Sequence, residues 1–199
     1  MPLEHAQPSQ LVADAVRSRL DSFSGVPETE LHALAGSTPA ELSMQAPHEV
    51  YTLGLDQLAA ETGLASAQAG GWRYLLQRDD QAVASAQTTV DSGGEPVFAL
   101  FNSGPFVQST ADALGRAEQV DSAEGGESLE PRLLHVPALH AMALWLHGAH
   151  STADVVMPLK PTPPSVDPDR QYSVEDYLAA LREEATTVDP VGHEDKTGG

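Results

Sequence analysis

The stretch RLLHVPALHAMALWLH, residues Arg132–His147, followed by GAHSTADVVMPL, residues 148–159, decides the fold. Its apolar density suits either a buried helix or a buried strand. Pro137 arbitrates. Inside a helix, proline removes a backbone hydrogen bond and clashes with the preceding turn. A strand accommodates it at an edge or a bend. The reading is therefore a long strand, or two strand segments, bent at Pro137. Gly148–Thr152 supply a turn and Ala153–Leu159 a partner strand, so the whole segment forms a β-hairpin.

Working outward, Trp72–Gln77, Ala82–Val90 and Pro96–Phe101 read as three more strands. They are separated by Arg78-Asp79-Asp80 and by Asp91-Ser92-Gly93-Gly94, both turn signals. The unbroken apolar run PVFALF predicts burial on both faces, hence a central strand. Gly70-Gly71 reads as a breaker, and Val50–Leu55 as a brief strand running into a short helix, LDQLAAE. Apolar residues at three- and four-residue spacing predict a helix over 9–22 (Leu11, Val12, Ala15, Val16, Leu20), a short piece over Thr29–Ala35, and a helix over Phe106–Val120. Lys160–Arg170 holds four prolines and reads as an extended connector. Ser173-Val174-Glu175-Asp176 then opens a last helix in the manner of a capping box.

Successive hairpins with interposed helices predict an α+β protein. Its antiparallel sheet has about five strands, with helices packed on one face and a C-terminal helix after the proline-rich connector. The domain plan is an α+β domain over 1–160 with an N-terminal helical segment, a connector over 161–172, a docking helix over 173–185 and a disordered tail over 186–199.

Composition narrows the partners. The 199 residues carry 10 Lys+Arg against 29 Asp+Glu, a formal charge of −19. Phosphate recognition draws on Lys and Arg, so no nucleic-acid partner is expected. An anionic membrane surface is disfavoured for the same reason. The excess is spread along the whole chain and is not an acidic tail on a neutral domain. Cysteine is absent, which removes disulfides, thiolate metal sites and cysteine nucleophiles. The N-terminus lacks a basic segment followed by an apolar run, so no signal peptide is expected. The longest apolar run, Ala141–Leu146, is far shorter than the ~20 residues of a membrane span. The expectation is a soluble, cytoplasmic protein without a cofactor.

Chemistry-bearing residues cluster once. Of eight histidines, His135, His140, His147 and His150 fall in one window. The functional reading is a metal site at the hairpin tip from His147, His150 and Asp154, since imidazole and carboxylate are ordinary zinc or iron ligands. The bland reading is strand-edge and turn histidines. The pairs Asp79/Asp80, Glu175/Asp176 and Glu183/Glu184 read as solvated charge. No G-x-S-x-G, Walker or dinucleotide glycine pattern occurs. The leading expectation is a non-enzymatic binding or scaffolding protein, acting on a protein partner or by self-association. Its contact residues would be Val174, Tyr177, Leu178, Leu181 and Trp145. The alternatives are a metal-dependent or pocket-based enzyme using His147, His150 and Asp154, and an acidic inhibitor or immunity-type protein.

Overall fold

Pro137 reverses the chain instead of bending it. Pro137–Leu139 form a 3-10 turn that ends on His140 in the left-handed region, at φ 49°. The long apolar stretch is thereby cut into two antiparallel strands, with Glu130 opposite His147 and Val136 opposite Ala141. The structure is a computed structural model and describes residues 3–22, 34, 37–60, 62–121, 128–148 and 154–187. The expected piece over Thr29–Ala35, Leu34 excepted, the expected tail beyond 187, and His150 lie outside these residues.

The described elements are α1 (Gln10–Asp21), β1 (Ser43–Thr52), α2 (Leu55–Ala59), β2 (Gln68–Arg78), β3 (Gln81–Val90), β4 (Pro96–Asn102), α3 (Pro105–Asp121), β5 (Glu130–Val136), β6 (Ala141–His147), β7 (Val155–Pro158), β8 (Tyr172–Ser173) and α4 (Val174–Thr187). The strands form one sheet in the order β4-β3-β2-β1-β5-β6-β7-β8. The fold is α+β, but the sheet has eight strands, not about five, and it is mixed. β1 and β5 run parallel at its centre, while the other neighbours are antiparallel. The first meander runs outward from the centre to β4, and the second starts again at the centre. A parallel pair needs a crossover, and α3 lies on that crossover.

Helices cover both faces, contrary to the one-face expectation. Alternation along each strand separates the two sides. Val50, Leu75, Leu133 and Leu144 pack with Val107, Ala113, Leu114 and Ala117 of α3. Leu76 and Ala84 pack with Val12, Val16 and Leu20 of α1, and Leu134 and Ala143 with Tyr177, Leu178 and Leu181 of α4. Val50 and Leu133 are register partners and so share a face. Hence α1 and α4 lie together, opposite α3.

Three local expectations change with the structure. PVFALF becomes β4, which among the described residues is an edge strand paired with β3. Val97 and Leu100 are exposed, while Phe98 and Phe101 are partly buried and meet at a tilt with ring centres 4.5 Å apart. Its proline stands at the first position, where an edge tolerates it. Gly70-Gly71 lie inside β2 and break nothing. Gly71 has φ 131°, and a Cβ there would fall 2.1 Å from the Thr88 carbonyl oxygen. Glycine is required by this close approach of β3. Gly71→Ala is expected to cost at least about 2 kcal/mol, through strain plus displaced backbone, read as a lowered urea midpoint.

The proline-rich segment is also more than a spacer. Pro163 and Val166 are buried, and Asp167 N–H donates to the Tyr172 hydroxyl at 2.9 Å. The segment delivers α4 onto the chain's own sheet, where Tyr177, Leu178 and Leu181 are fully buried. Among the described residues, no helix is long and apolar enough to cross a membrane.

Candidate functional site

A groove of about 940 Å³ opens on the α4 face. β1, β5 and β6 supply its floor through Tyr51, Arg132 and Trp145. One wall is the turn carrying Thr62, Leu64, Ala65 and Ala67, and the other is the start of α4 with Val174, Glu175 and Leu178.

The floor is a stack. Arg132 and Trp145 are register partners across β5 and β6. The Arg132 guanidinium lies 4.9 Å from the Trp145 ring and 5.1 Å from the Tyr51 ring. The two rings meet edge-on at 5.2 Å. Cation–π contact with both rings holds the guanidinium in place. Its Nε donates to Glu130 Oε1 at 2.7 Å, which fixes the third direction. The Tyr51 hydroxyl donates to Glu49 Oε2 at 2.7 Å. Burial, then Glu49, pushes the phenol up to about 12, so it stays protonated. Parallel pairing of β1 with β5 is what brings Tyr51 to this place.

Asp154 closes one end. It is 8% exposed and accepts three hydrogen bonds. Trp145 Nε1 (2.8 Å) and His147 Nδ1 (3.1 Å) reach Oδ2, and the Gly148 amide (2.9 Å) reaches Oδ1. The hairpin between β6 and β7 makes this possible, because Trp145 and His147 lie on one face two residues apart. His147 also packs edge-on against Trp145 at 5.2 Å. Asp154 therefore positions the indole and the imidazole, and both its oxygens are occupied. Asp154→Ala is expected to cost about 2 kcal/mol, because it strands the indole and amide donors in the interior. Urea denaturation followed by tryptophan fluorescence measures that loss.

The structure brings together His147, Asp154, Trp145, Val174 and Leu178 of the residues singled out in the sequence, all lining the groove. Tyr177 and Leu181 are buried behind it in the core. Among the described residues, no group of three or more His, Cys, Asp and Glu is placed to hold a metal ion. His135 shares the α3 face with Leu133, opposite Trp145, and His140 is exposed on the turn. Sequence reasoning missed Tyr51, Arg132 and Arg182. Arg182 Nε donates to the Leu58 carbonyl at 2.9 Å and ties α4 to α2. No local pattern marks these residues, since each gains its role from a partner far away in the chain.

Comparison with protein-family models, with curated proteins and with solved structures returns no match.

Proposed function

We propose that this chain is a non-enzymatic binding protein, and that the groove beside α4 receives a segment of a partner protein. The observation that carries the reading is the open groove with its mixed lining. Ala65, Ala67 and Val174 offer apolar surface, and Arg132 offers a guanidinium already held against two rings. Arg132 and Arg182 bond to the protein through Nε. Among the described residues their Nη groups make no further hydrogen bond, which leaves them for a ligand's carbonyl or carboxylate oxygens. A pre-positioned arginine loses little freedom on binding, and arginine and aromatic anchors dominate recognition surfaces. Two of the polar groups nearby are engaged in structural bonds. Asp154 already accepts three hydrogen bonds, and Ser173 Oγ accepts from the Asp176 amide as a helix cap.

The test is selection of a random peptide library on the full chain, followed by affinity measurement on Ala65→Arg. Ala65 is exposed on the groove wall, so the variant fills the groove without touching the core. Selected peptides are expected to bind the natural chain and to lose at least tenfold on Ala65→Arg. Equal affinity for both proteins argues against the groove.

A second reading, a pocket-based enzyme, is favoured by one observation: His147 is oriented by Asp154 at the groove wall, the geometry of a general base. Screening chromogenic esters and amides against the natural chain and His147→Asn tests it. Turnover that survives the substitution unchanged removes this reading. Elemental analysis of the purified protein tests its metal-dependent form.

A further inference from the structure

The α3 face of the sheet carries a buried cation that has only neutral hydrogen-bond partners among the described residues. Arg73 of β2 is 4% exposed. Its Nε and Nη2 both donate to one atom, Gln87 Oε1, at 3.2 and 2.7 Å, and Nη1 lies 3.7 Å from Met142 Sδ. Burial lowers the guanidinium to about 10, so it remains charged at neutral pH. A buried charge without a counter-charge is among the least favourable arrangements a core can hold.

Orphaned polar atoms lie on its face of the sheet. His48 is the register partner of Arg73 across β1 and β2 and is completely buried. Its Nδ1 lies 2.8 Å from the Ala46 carbonyl oxygen, which makes Nδ1 the protonated nitrogen, and the buried Nε2 has no partner. Ser85 Oγ, two residues before Gln87 on the same face, is buried and unpartnered, as is His5 Nδ1. Arg73 acts on both His48 and His135 and disfavours their protonation. Buried polar groups in native proteins nearly always have partners, so several orphans in one place mark an absent one. Gln87, His135 and Met142 are only partly buried and give the cluster a side open to solvent.

We propose that this cluster binds a small oxyanion carrying its own O–H, of the hydrogen phosphate class, between Arg73 and His48. The chemistry is complementary on both sides. Charged oxygens meet the guanidinium, whose fork suits such anions. The ligand's O–H donates to His48 Nε2, which is a bare acceptor in the neutral ring. Ser85 Oγ bonds a further oxygen. With Arg73 so deeply buried, the ligand is the free anion and not the head of a larger molecule.

The experiment uses the full chain in phosphate-free buffer at pH 7.5, melted with added sodium phosphate or sodium sulfate at matched ionic strength. A ligand that binds only the folded state raises the melting temperature. Phosphate is expected to raise it by about 4 °C at saturation, in the range of one to two kcal/mol for a chain this long. Sulfate, which lacks the proton at this pH, is expected to bind at least tenfold more weakly. Arg73→Met keeps the volume without the charge and is expected to lose the phosphate response entirely. Arg73→Lys keeps a charge but not the planar fork, and is expected to weaken phosphate at least tenfold. The proposal is overturned if phosphate leaves the natural chain's melting temperature unchanged, if either variant responds as the natural chain does, or if sulfate matches phosphate.

Discussion

A chain ending at Lys160 is expected not to fold cooperatively. The deletion removes β8 and α4 and uncovers the face of β5, β6 and β7 that carries Leu134, Ala143, Trp145 and Val156. Tyr177, Leu178 and Leu181 are fully buried in the intact chain. Burying one large apolar side chain is worth roughly 1.5–3 kcal/mol, so these three alone represent roughly 5–9 kcal/mol. That is most of the ~5–15 kcal/mol net stability of an ordinary domain. Val166 and Tyr172 are lost as well. Far-UV circular dichroism through a thermal scan measures this. The expected trace has no sharp transition. A truncated chain that melts as sharply as the full one would show that α4 is a detachable appendage. The milder variant Leu181→Ala is expected to cost about 3 kcal/mol while leaving the fold intact.

The second large effect is loss of stability in mild acid, through His48. Burial is the main cause that pushes this imidazole down to about 4 from its ordinary 6.5. The sign follows from proton counting. Between pH 6.5 and about 4 the unfolded chain binds a proton at this position and the folded chain does not. The contribution is therefore fully present above pH 6.5 and is lost as pH falls toward 4, by roughly 3 kcal/mol in total. His135 is lowered too, by burial and then Arg73, and acts in the same direction. Urea midpoints at pH 7.5 and pH 4.5 check the effect. The natural chain is expected to be markedly weaker at pH 4.5, and His48→Gln to remove most of the difference. A natural chain with equal midpoints at both values would contradict the burial of a neutral His48.

What the sequence made legible was local. The turn after His147 with a partner strand over Ala153–Leu159, the strand Ala82–Val90 and the helix beginning near Phe106 follow from periodicity and turn residues, and the structure has the β6–β7 pair, β3 and α3 there. His147 and Asp154 meet because a tight hairpin brings neighbours in sequence into contact, and the Trp145 indole joins them there. The misses have one physical origin, which is partners distant in the chain. PVFALF is equally apolar at a sheet centre or at an edge that meets α1, and only topology decides. Gly71 looked like a break because its reason for being glycine is the carbonyl of Thr88, seventeen residues on. The groove floor needs Tyr51 beside Arg132 and Trp145, an arrangement made by the parallel β1–β5 junction that no local pattern encodes. His48 and Arg73 were invisible for the same cause, since neither residue type signals burial.

The charge of −19 takes a different meaning once placed on the fold. Exposed carboxylates stand on α1, α3 and α4 and on the turns, hence on both faces of the sheet. Such scatter suits solubility and general repulsion between copies better than a carboxylate face built for one cationic partner. Within that field the groove concentrates two of the chain's eight arginines, Arg132 and Arg182.

The central claim is that the groove over Tyr51, Arg132 and Trp145 is where a partner segment binds. Its most direct test is a fluorescence titration of a selected peptide into the Trp72→Phe chain, in which Trp145 is the remaining indole. Binding is expected to change the Trp145 emission in a saturable way, with at least tenfold weaker affinity when Ala65→Arg is added. Peptide that binds with unchanged affinity in the Ala65→Arg chain, or that saturates without altering Trp145, would contradict the claim.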